Sequence, residues 1–165
     1  MISPAYCRKM AQYNRWQNDG LRTLVAGLSE SDLHLDRKAF FGSISATMNH
    51  LLWGDIIWLH RMGAGDPPSV PVAEHTRITA DKVAWDELRD ATDTRITQWA
   101  RSLTDDDLAR DLTWRSALNQ SDMVNPMADC AVHFFNHQTH HRGQIHAMMT
   151  AAGQAPDATD LLFMP

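Results

Sequence analysis

Five of the nine histidines fall within fourteen residues of the sequence, and their spacing is typical of a metal site. They are His133, His137, His140, His141 and His146. On a helix that turns about 100° per residue, His137 and His141 lie in the middle of one apolar stripe. His133 and His140 lie at the edge of that stripe, and His146 faces away from it. Two imidazoles one turn apart are close enough to bind the same cation.

The paired histidines predict metal binding rather than two polar core residues. Burying two neutral imidazoles costs desolvation twice unless both lone pairs are used, and a metal ion uses both. A third ligand is expected from His50, which is central on the apolar face of another predicted helix. Gly54, one turn further on, leaves space beside it for a cation or a substrate. The predicted metal ligands are therefore His50, His137 and His141.

Three histidines with an open fourth position are typical of a catalytic or exchangeable site. Zinc is the favoured ion, and nickel, iron and manganese remain alternatives because imidazole binds all of them. Gln138 stands where a zinc protease of the HExxH class has its general base, which excludes that class. Cys130 lies about 10 Å along the helix from His137 and is expected in the core rather than on the metal. The absence of Glu-x-x-His motifs excludes a ferritin-like di-iron centre.

His34, His60 and His146 are expected to be dispensable for metal binding. His34 and His75 fall in predicted loops and His60 lies off the apolar face of its helix, so these three are expected to be solvated or capping residues. The metal-binding imidazoles need polar partners for their second ring nitrogens. Candidate partners are Asn14, Asp129, Asn136 and Gln144.

Four long helices are predicted to position these residues. Apolar residues recur three and four apart, and glycine and proline fall between the segments. The predicted helices cover about 4–28, 44–62 with Ser43 as N-cap, 79–103 and 125–152. The stretch 104–125 lacks helical periodicity, and residues 112–121 within it predict a short hairpin or an irregular loop. The predicted fold class is all-α, a four-helix bundle whose long connections allow a crossover.

Composition limits the function classes. A chain of 165 residues with 44% hydrophobic and 21% charged residues predicts one folded domain, residues 1–165. The net charge of −5 with no basic cluster argues against nucleic acid as a partner. No membrane-span pattern, no signal-peptide pattern and two isolated cysteines predict a cytoplasmic protein with reduced thiols.

Four motifs, in order along the chain, resemble those of the DinB/YfiT-like family of metal-dependent enzymes. They are YNRWQN at 13–18, MNHLLWGD at 48–55, NHQTHHRGQ at 136–144 and GQAPDATDLL at 153–162. Ser45 departs from the pattern, because close relatives often carry another histidine there. The difference could alter the polarity of the pocket without affecting the three inferred ligands.

The resemblance implies a four-helix bundle with a crossover connection and a metal held by His50, His137 and His141. It also implies a homodimer and a small-molecule substrate. Sister branches transfer low-molecular-weight thiols such as bacillithiol or mycothiol, so a thiol S-transferase-like enzyme is the favoured function. The alternatives are a non-catalytic metal-binding or stress-response protein and a metal-dependent hydrolase.

Overall fold

The computed structural model describes residues 1–117 and 119–165. They form α1 (Pro4–Gly27), α2 (Glu30–His34), α3 (Ile44–Arg61), α4 (Lys82–Ser102), α5 (Asp105–Ala109), β1 (Asp111–Arg115), β2 (Asp122–Pro126) and α6 (Met127–Ala151), with short 3-10 helices at Val72–Glu74 and Leu161–Phe163. The prediction of a mainly helical chain is confirmed. In the described part of the chain, no helix combines the length and apolar character needed to cross a membrane.

Polar side chains set where the long helices begin. Ser43 caps α3 as predicted, because its hydroxyl accepts a hydrogen bond of 3.1 Å from the Ala46 N–H. The cap of α4 is Asp81, so this helix starts later than the predicted residue Thr79. Thr79 instead donates through its N–H and its hydroxyl to the side-chain oxygen of Asn49. These two bonds hold the end of the α3–α4 loop against α3.

The predicted hairpin is confirmed, and it shortens the last helix. β1 and β2 are antiparallel, with Asp111 opposite Pro126 and Arg115 opposite Asp122. Asn125 and Pro126 therefore belong to β2, and α6 begins at Met127 rather than at residue 125. Periodicity could not separate these alternatives, because the helix follows the strand without a loop. Leu118, in the predicted connection, lies outside the described residues.

The four long helices each pack against two others. α1 contacts α4 and α6, and α3 contacts α4 and α6. Their apolar side chains form two buried clusters. Cys7 and Cys130 are both free, both buried and both in the first cluster, so the prediction that Cys130 belongs to the core is confirmed.

A layer of buried polar side chains separates the two clusters. All four long helices contribute to it: Asn14 and Asn18 from α1, Asp55 from α3, Arg89 and Asp93 from α4, and Gln138 and Arg142 from α6. Arg89 donates to Asp55 and to Asp93, each at 2.7 Å. The Gln138 amide donates to the other Asp55 oxygen at 3.0 Å. The layer ties α3, α4 and α6 together next to the histidines.

Candidate metal centre

The structure brings the three predicted ligands together between α3 and α6. The Nε2 atom of His50 lies 3.2 Å from Nε2 of His141 and 3.3 Å from Nε2 of His137. One ring nitrogen from each of the three lies within 4.8 Å of the other two. His137 and His141 are one turn apart on α6, with ring centroids 4.4 Å apart. Residues far apart in the sequence thus form one cluster of nitrogen ligands.

Gly54 allows this close approach of α3 to α6. A Cβ atom at position 54 would lie 2.7 Å from Cε1 of His137, closer than real Cβ contacts allow. The sequence predicted that Gly54 leaves free space for a cation or substrate, but the His137 ring fills that space. The Nδ1 atom of His137 is buried and has no hydrogen-bond partner in the described part of the chain. Packing against Gly54 therefore orients this ring.

The other two histidines are oriented by hydrogen bonds at Nδ1. Nδ1 of His141 lies 2.8 Å from the Gln144 side-chain oxygen, which can only accept. His141 therefore carries its proton on Nδ1, and the Nε2 lone pair points at the cluster. Nδ1 of His50 lies 2.8 Å from Nδ1 of His75. Both contacts hold the ring orientation, and the Gln144 contact also sets the tautomer of His141, as the outer partners of metal-bound histidines do.

His75 was expected to be a solvated or capping residue, but it is half-buried and contacts His50. The α3–α4 loop folds back over α3, because the Trp53 indole N–H donates to the Val70 carbonyl at 3.0 Å. That bond and the Asn49–Thr79 contacts bring His75 to His50. A residue in a long loop has no helical phase, so periodicity could not have found it.

The remaining predictions for histidines have mixed outcomes. His34 is exposed, as expected, but ends α2 instead of lying in a loop. His60 is exposed, and its Nδ1 lies 3.0 Å from the Gly65 carbonyl oxygen. His146 lies away from the cluster, among the residues that line a cavity beside α1.

Only one of the four predicted polar partners contacts the histidine cluster. Gln144 bonds to His141, as proposed from the sequence. Asn14 instead contacts Asp93 and Arg142 in the polar layer. Asp129 and Asn136 are exposed on α6.

An aromatic residue that was not predicted as part of the site covers the cluster. The Phe41 ring packs on His50 with centroids 4.2 Å apart, and it lies 5.6 Å from the His141 ring. Phe40 packs edge-on against Phe41 and is 84% exposed. Two adjacent aromatic residues just before the Ser43 cap were the available signal. The site is thus bordered by an apolar surface that is open to solvent.

Burial keeps the clustered imidazoles uncharged. Desolvation, and secondarily the neighbouring imidazoles, lower the pKa of His50 and that of His137 to about 3. Desolvation also lowers the pKa of His141. Metal ions bind neutral imidazole, so no proton has to leave these rings at neutral pH before a metal binds.

The donor set fits a tetrahedral metal ion. Zinc binds imidazole nitrogens at about 2.0–2.1 Å, which places two such ligands about 3.3 Å apart. The two shortest Nε2 separations, 3.2 and 3.3 Å, match that spacing. The three histidines could therefore hold one ion and leave a fourth position for a further ligand.

Known proteins share both the sequence pattern and the fold. The model of the DinB family matches residues 1–165. Protein DinB of Bacillus subtilis (strain 168) is 24% identical over 153 residues, which is 92% of this chain and 89% of that protein. A DinB-like protein from Bacillus cereus ATCC 10987 has a similar crystal structure, with a TM-score of 0.65 and 16% identity over 87% of this chain and 91% of that chain. The chain belongs to the DinB family.

Proposed function

We propose that His50, His137 and His141 hold one divalent metal ion and that the protein is a metal-dependent enzyme of the thiol S-transferase type. The convergence of three Nε2 atoms, two of them 3.2 and 3.3 Å from the third, carries this proposal. The substrate class is a small electrophile together with a low-molecular-weight thiol. When bound, such an ion lowers the pKa of a thiol that binds to it, so that thiolate is available at neutral pH.

The chain's own residues hold and shield this site. His75 and Gln144 hold the rings of His50 and His141 so that their Nε2 atoms face inward. Phe41 excludes water from one side of the cluster, and Phe40 extends the apolar surface. In the reaction a sulfur–carbon bond forms, the bond from that carbon to its leaving group breaks, and the thiol proton passes to solvent or to the leaving group.

A thiol nucleophile fits this site better than water does. Hydrolysis by a zinc enzyme normally needs a general base beside the bound water. Gln138 is fully buried and donates to Asp55, so its side chain belongs to the polar layer and not to the cluster. The other Asp55 oxygen accepts from Arg89. A thiol depends less on a general base for losing its proton, because its ordinary pKa is about 8.5.

The proposed ion is zinc, because zinc suits a tetrahedral site with neutral nitrogen ligands. Nickel, iron and manganese are alternatives, because imidazole binds all of them.

The proposed architecture is a four-helix bundle with a crossover connection. The contacts of α1 and α3 with both α4 and α6 support it. The two free cysteines support a cytoplasmic location. A homodimer is proposed on the family resemblance.

Metal content of purified variants tests the site. The wild-type protein should bind one equivalent of zinc per chain, and His50→Ala, His137→Ala and His141→Ala should each lose most of it. His146→Ala and His60→Ala are matched controls, because these residues lie outside the cluster. Full zinc occupancy in His137→Ala or His141→Ala would contradict the proposed site.

A substrate screen tests the reaction type. Zinc-loaded protein is mixed with an epoxide or an activated alkyl halide and with bacillithiol, mycothiol, glutathione or cysteine. Thiol-dependent consumption of the electrophile should disappear with chelator and in His50→Ala. Efficient ester or amide cleavage without thiol would instead indicate the hydrolase alternative, and metal binding without any turnover would favour the non-catalytic one.

A further inference from the structure

A second site lies between α1, α6 and the segment that follows α6. It is a cavity of about 160 Å³ that shares no residue with the histidine cluster. Its walls are mainly apolar and aromatic, formed by Tyr13, Trp16, Leu21, Leu24, Met149 and Pro156. Arg142 and His146 line it from a face of α6 other than the one that carries His137 and His141.

The segment after α6 is fastened over this cavity. The Tyr13 hydroxyl donates to the Thr159 carbonyl at 2.6 Å, and the Gln17 amide donates to the Ala158 carbonyl at 3.2 Å. Both donors stand on α1, and Tyr13 and Gln17 also line the cavity. The cavity is therefore a built feature of the fold, closed on one side by backbone that is hydrogen-bonded in place.

Arg142 is a buried cation that has no carboxylate within ion-pair distance in the described part of the chain, although Asp55 and Asp93 of the polar layer act on it from further away. The residue is 9% exposed. Its Nη1 donates to the Asn14 side-chain oxygen, and its guanidinium lies 5.6 Å from the centre of the Tyr13 ring. In the described part of the chain, it makes no ion pair. Arg89, buried in the same layer, contacts the carboxylates of Asp55 and Asp93.

The free donors of Arg142 are reachable from the cavity. Its Nε and Nη2 atoms make no hydrogen bond within the described residues. Neither atom is completely buried, so a ligand can approach both. Because Arg142 lines the cavity, these two nitrogens are available to a ligand there. The guanidinium of arginine is a cation at neutral pH. A buried cation of this kind is stabilised by an anion that enters the cavity.

Size and charge restrict the ligand. A cavity of about 150 Å³ accommodates one benzene ring, so the measured volume suits a single ring or a short branched chain. Asp157 is the one acidic residue among the described residues that line the cavity, and it is exposed. It opposes a second negative charge on the ligand. The walls require an apolar body, and Arg142 requires one carboxylate.

We propose that this cavity binds a small monocarboxylate whose apolar body is about the size of a benzene ring, with the carboxylate on Arg142. The site is separate from the proposed metal centre. A molecule bound here contacts α1, α6 and the segment that closes the cavity, and its carboxylate accepts from the Arg142 donors that have no partner within the described residues.

Titration with benzoate at neutral pH, followed by calorimetry and by the NMR signals of the cavity residues, tests the proposal. Benzamide is the matched probe, because it has the same shape without the charge. Benzoate should bind at least tenfold more tightly than benzamide, and Arg142→Gln should abolish this preference. Failure of benzoate to bind at millimolar concentration, or equal binding of benzamide, would overturn the proposal.

A second variant blocks the cavity while leaving Arg142 in place. Gly143 lines the cavity, and a Cβ there would meet no other atom within 4 Å, so Gly143→Leu adds a large side chain beside the cavity without a clash. It should weaken benzoate binding at least tenfold, and wild-type affinity in this variant would count against the site. Benzoate binding should persist in His137→Ala and in the presence of chelator, which separates this site from the metal centre; dependence on either would contradict the proposal.

Discussion

The missing side chain of Gly54 sets how closely the two histidine-bearing helices approach. Most glycines act through backbone freedom, but Gly54 lies inside α3 and acts through volume. The His137 ring occupies the place of a side chain and has no hydrogen bond at Nδ1 to hold it elsewhere. Position 54 therefore controls the placement of a ring on the opposite helix.

Gly54→Ala should weaken zinc binding by about 10- to 100-fold, the range seen when the shell around metal ligands is disturbed. The added Cβ would lie 2.7 Å from Cε1 of His137, so the His137 ring would have to move and the Nε2 atoms would separate. Zinc affinity is measured by competition with a chromophoric chelator. Gly143→Ala is the matched control, since its Cβ meets open space. Unchanged affinity in Gly54→Ala would refute this role.

His75 is predicted to position His50 rather than to bind the metal. Its Nδ1 lies 2.8 Å from Nδ1 of His50, on the side of the ring remote from the cluster. His75→Ala should lower zinc affinity by roughly 10-fold while leaving one zinc site per chain. His60→Ala, which alters an exposed histidine, should have no effect. Complete loss of the site in His75→Ala would show instead that this residue is a ligand.

The stability of the metal-free protein should fall as the pH is lowered from about 6.5 toward 3. The folded-state pKa values of His50 and His137 are about 3, whereas their ordinary value is 6.5. Within that window the unfolded chain binds protons that the folded chain does not, which favours unfolding. The slope is at most about 1.4 kcal/mol per pH unit for each histidine. Urea denaturation at several pH values should give a shallower slope for His137→Gln than for the wild type; equal slopes would contradict the assignment.

Helical phase was sufficient to predict that His50, His137 and His141 cluster, because each lies on an inward face of a long helix. It did not predict all the residues that hydrogen-bond to these histidines. Gln144 shares a helix with His141 and was found, whereas His75 depends on the path of a loop. The role of Gly54 could not be predicted fully either, because the sequence shows that space exists beside it but not which side chain fills that space.

At the scale of elements, buried charges connect the long helices. Arg89 on α4 lies between Asp55 of α3 and Asp93 of its own helix, and all three are almost fully buried. Removing one member of a buried ion pair leaves an uncompensated charge in a medium that solvates it poorly. The polar layer therefore constrains the helices to one register at the level of the metal centre.

Arg89→Met should lower the free energy of unfolding by about 3–5 kcal/mol, because two buried carboxylates lose their counter-charge. Arg22→Met is the matched control. Arg22 also joins α1 to α4 through Asp86 and Asp90, but these acidic partners are 43% and 44% exposed. Its loss should cost less than about 1 kcal/mol. Chemical denaturation measures the free energy of unfolding of both variants. A similar decrease in the two would contradict the conclusion that the buried polar layer contributes more to stability than the exposed ion pairs.

The end of a helix or strand could be predicted where a side chain caps a helix, but not where contacts with other elements set the boundary. The Ser43 cap was predicted correctly from the sequence. Asn125 and Pro126 resemble the start of a helix, but backbone pairing with β1 places them in a strand. Thr79 looked equally suitable as a helix start, and its bonds to Asn49 keep it in the loop.

At the scale of the whole molecule, exposed apolar side chains favour self-association. Phe40, Leu162 and Phe163 are 84%, 92% and 69% exposed. We expect a homodimer in solution, with a mass of twice 18.6 kDa. Sedimentation at micromolar concentration measures this mass. A single species of 18.6 kDa would contradict the prediction.

The separation of the proposed ligands along the chain has a consequence for biosynthesis. His50 precedes His137 by 87 residues and His141 by 91. At a synthesis rate of about 5–20 residues per second, the ribosome adds the second ligand roughly 4 to 17 s after the first. A nascent chain that ends before α6 has only His50 of the three histidines. If the three hold one ion as proposed, its capture follows translation of α4 and the hairpin, which makes loading of the ion a late event in the maturation of each newly made molecule.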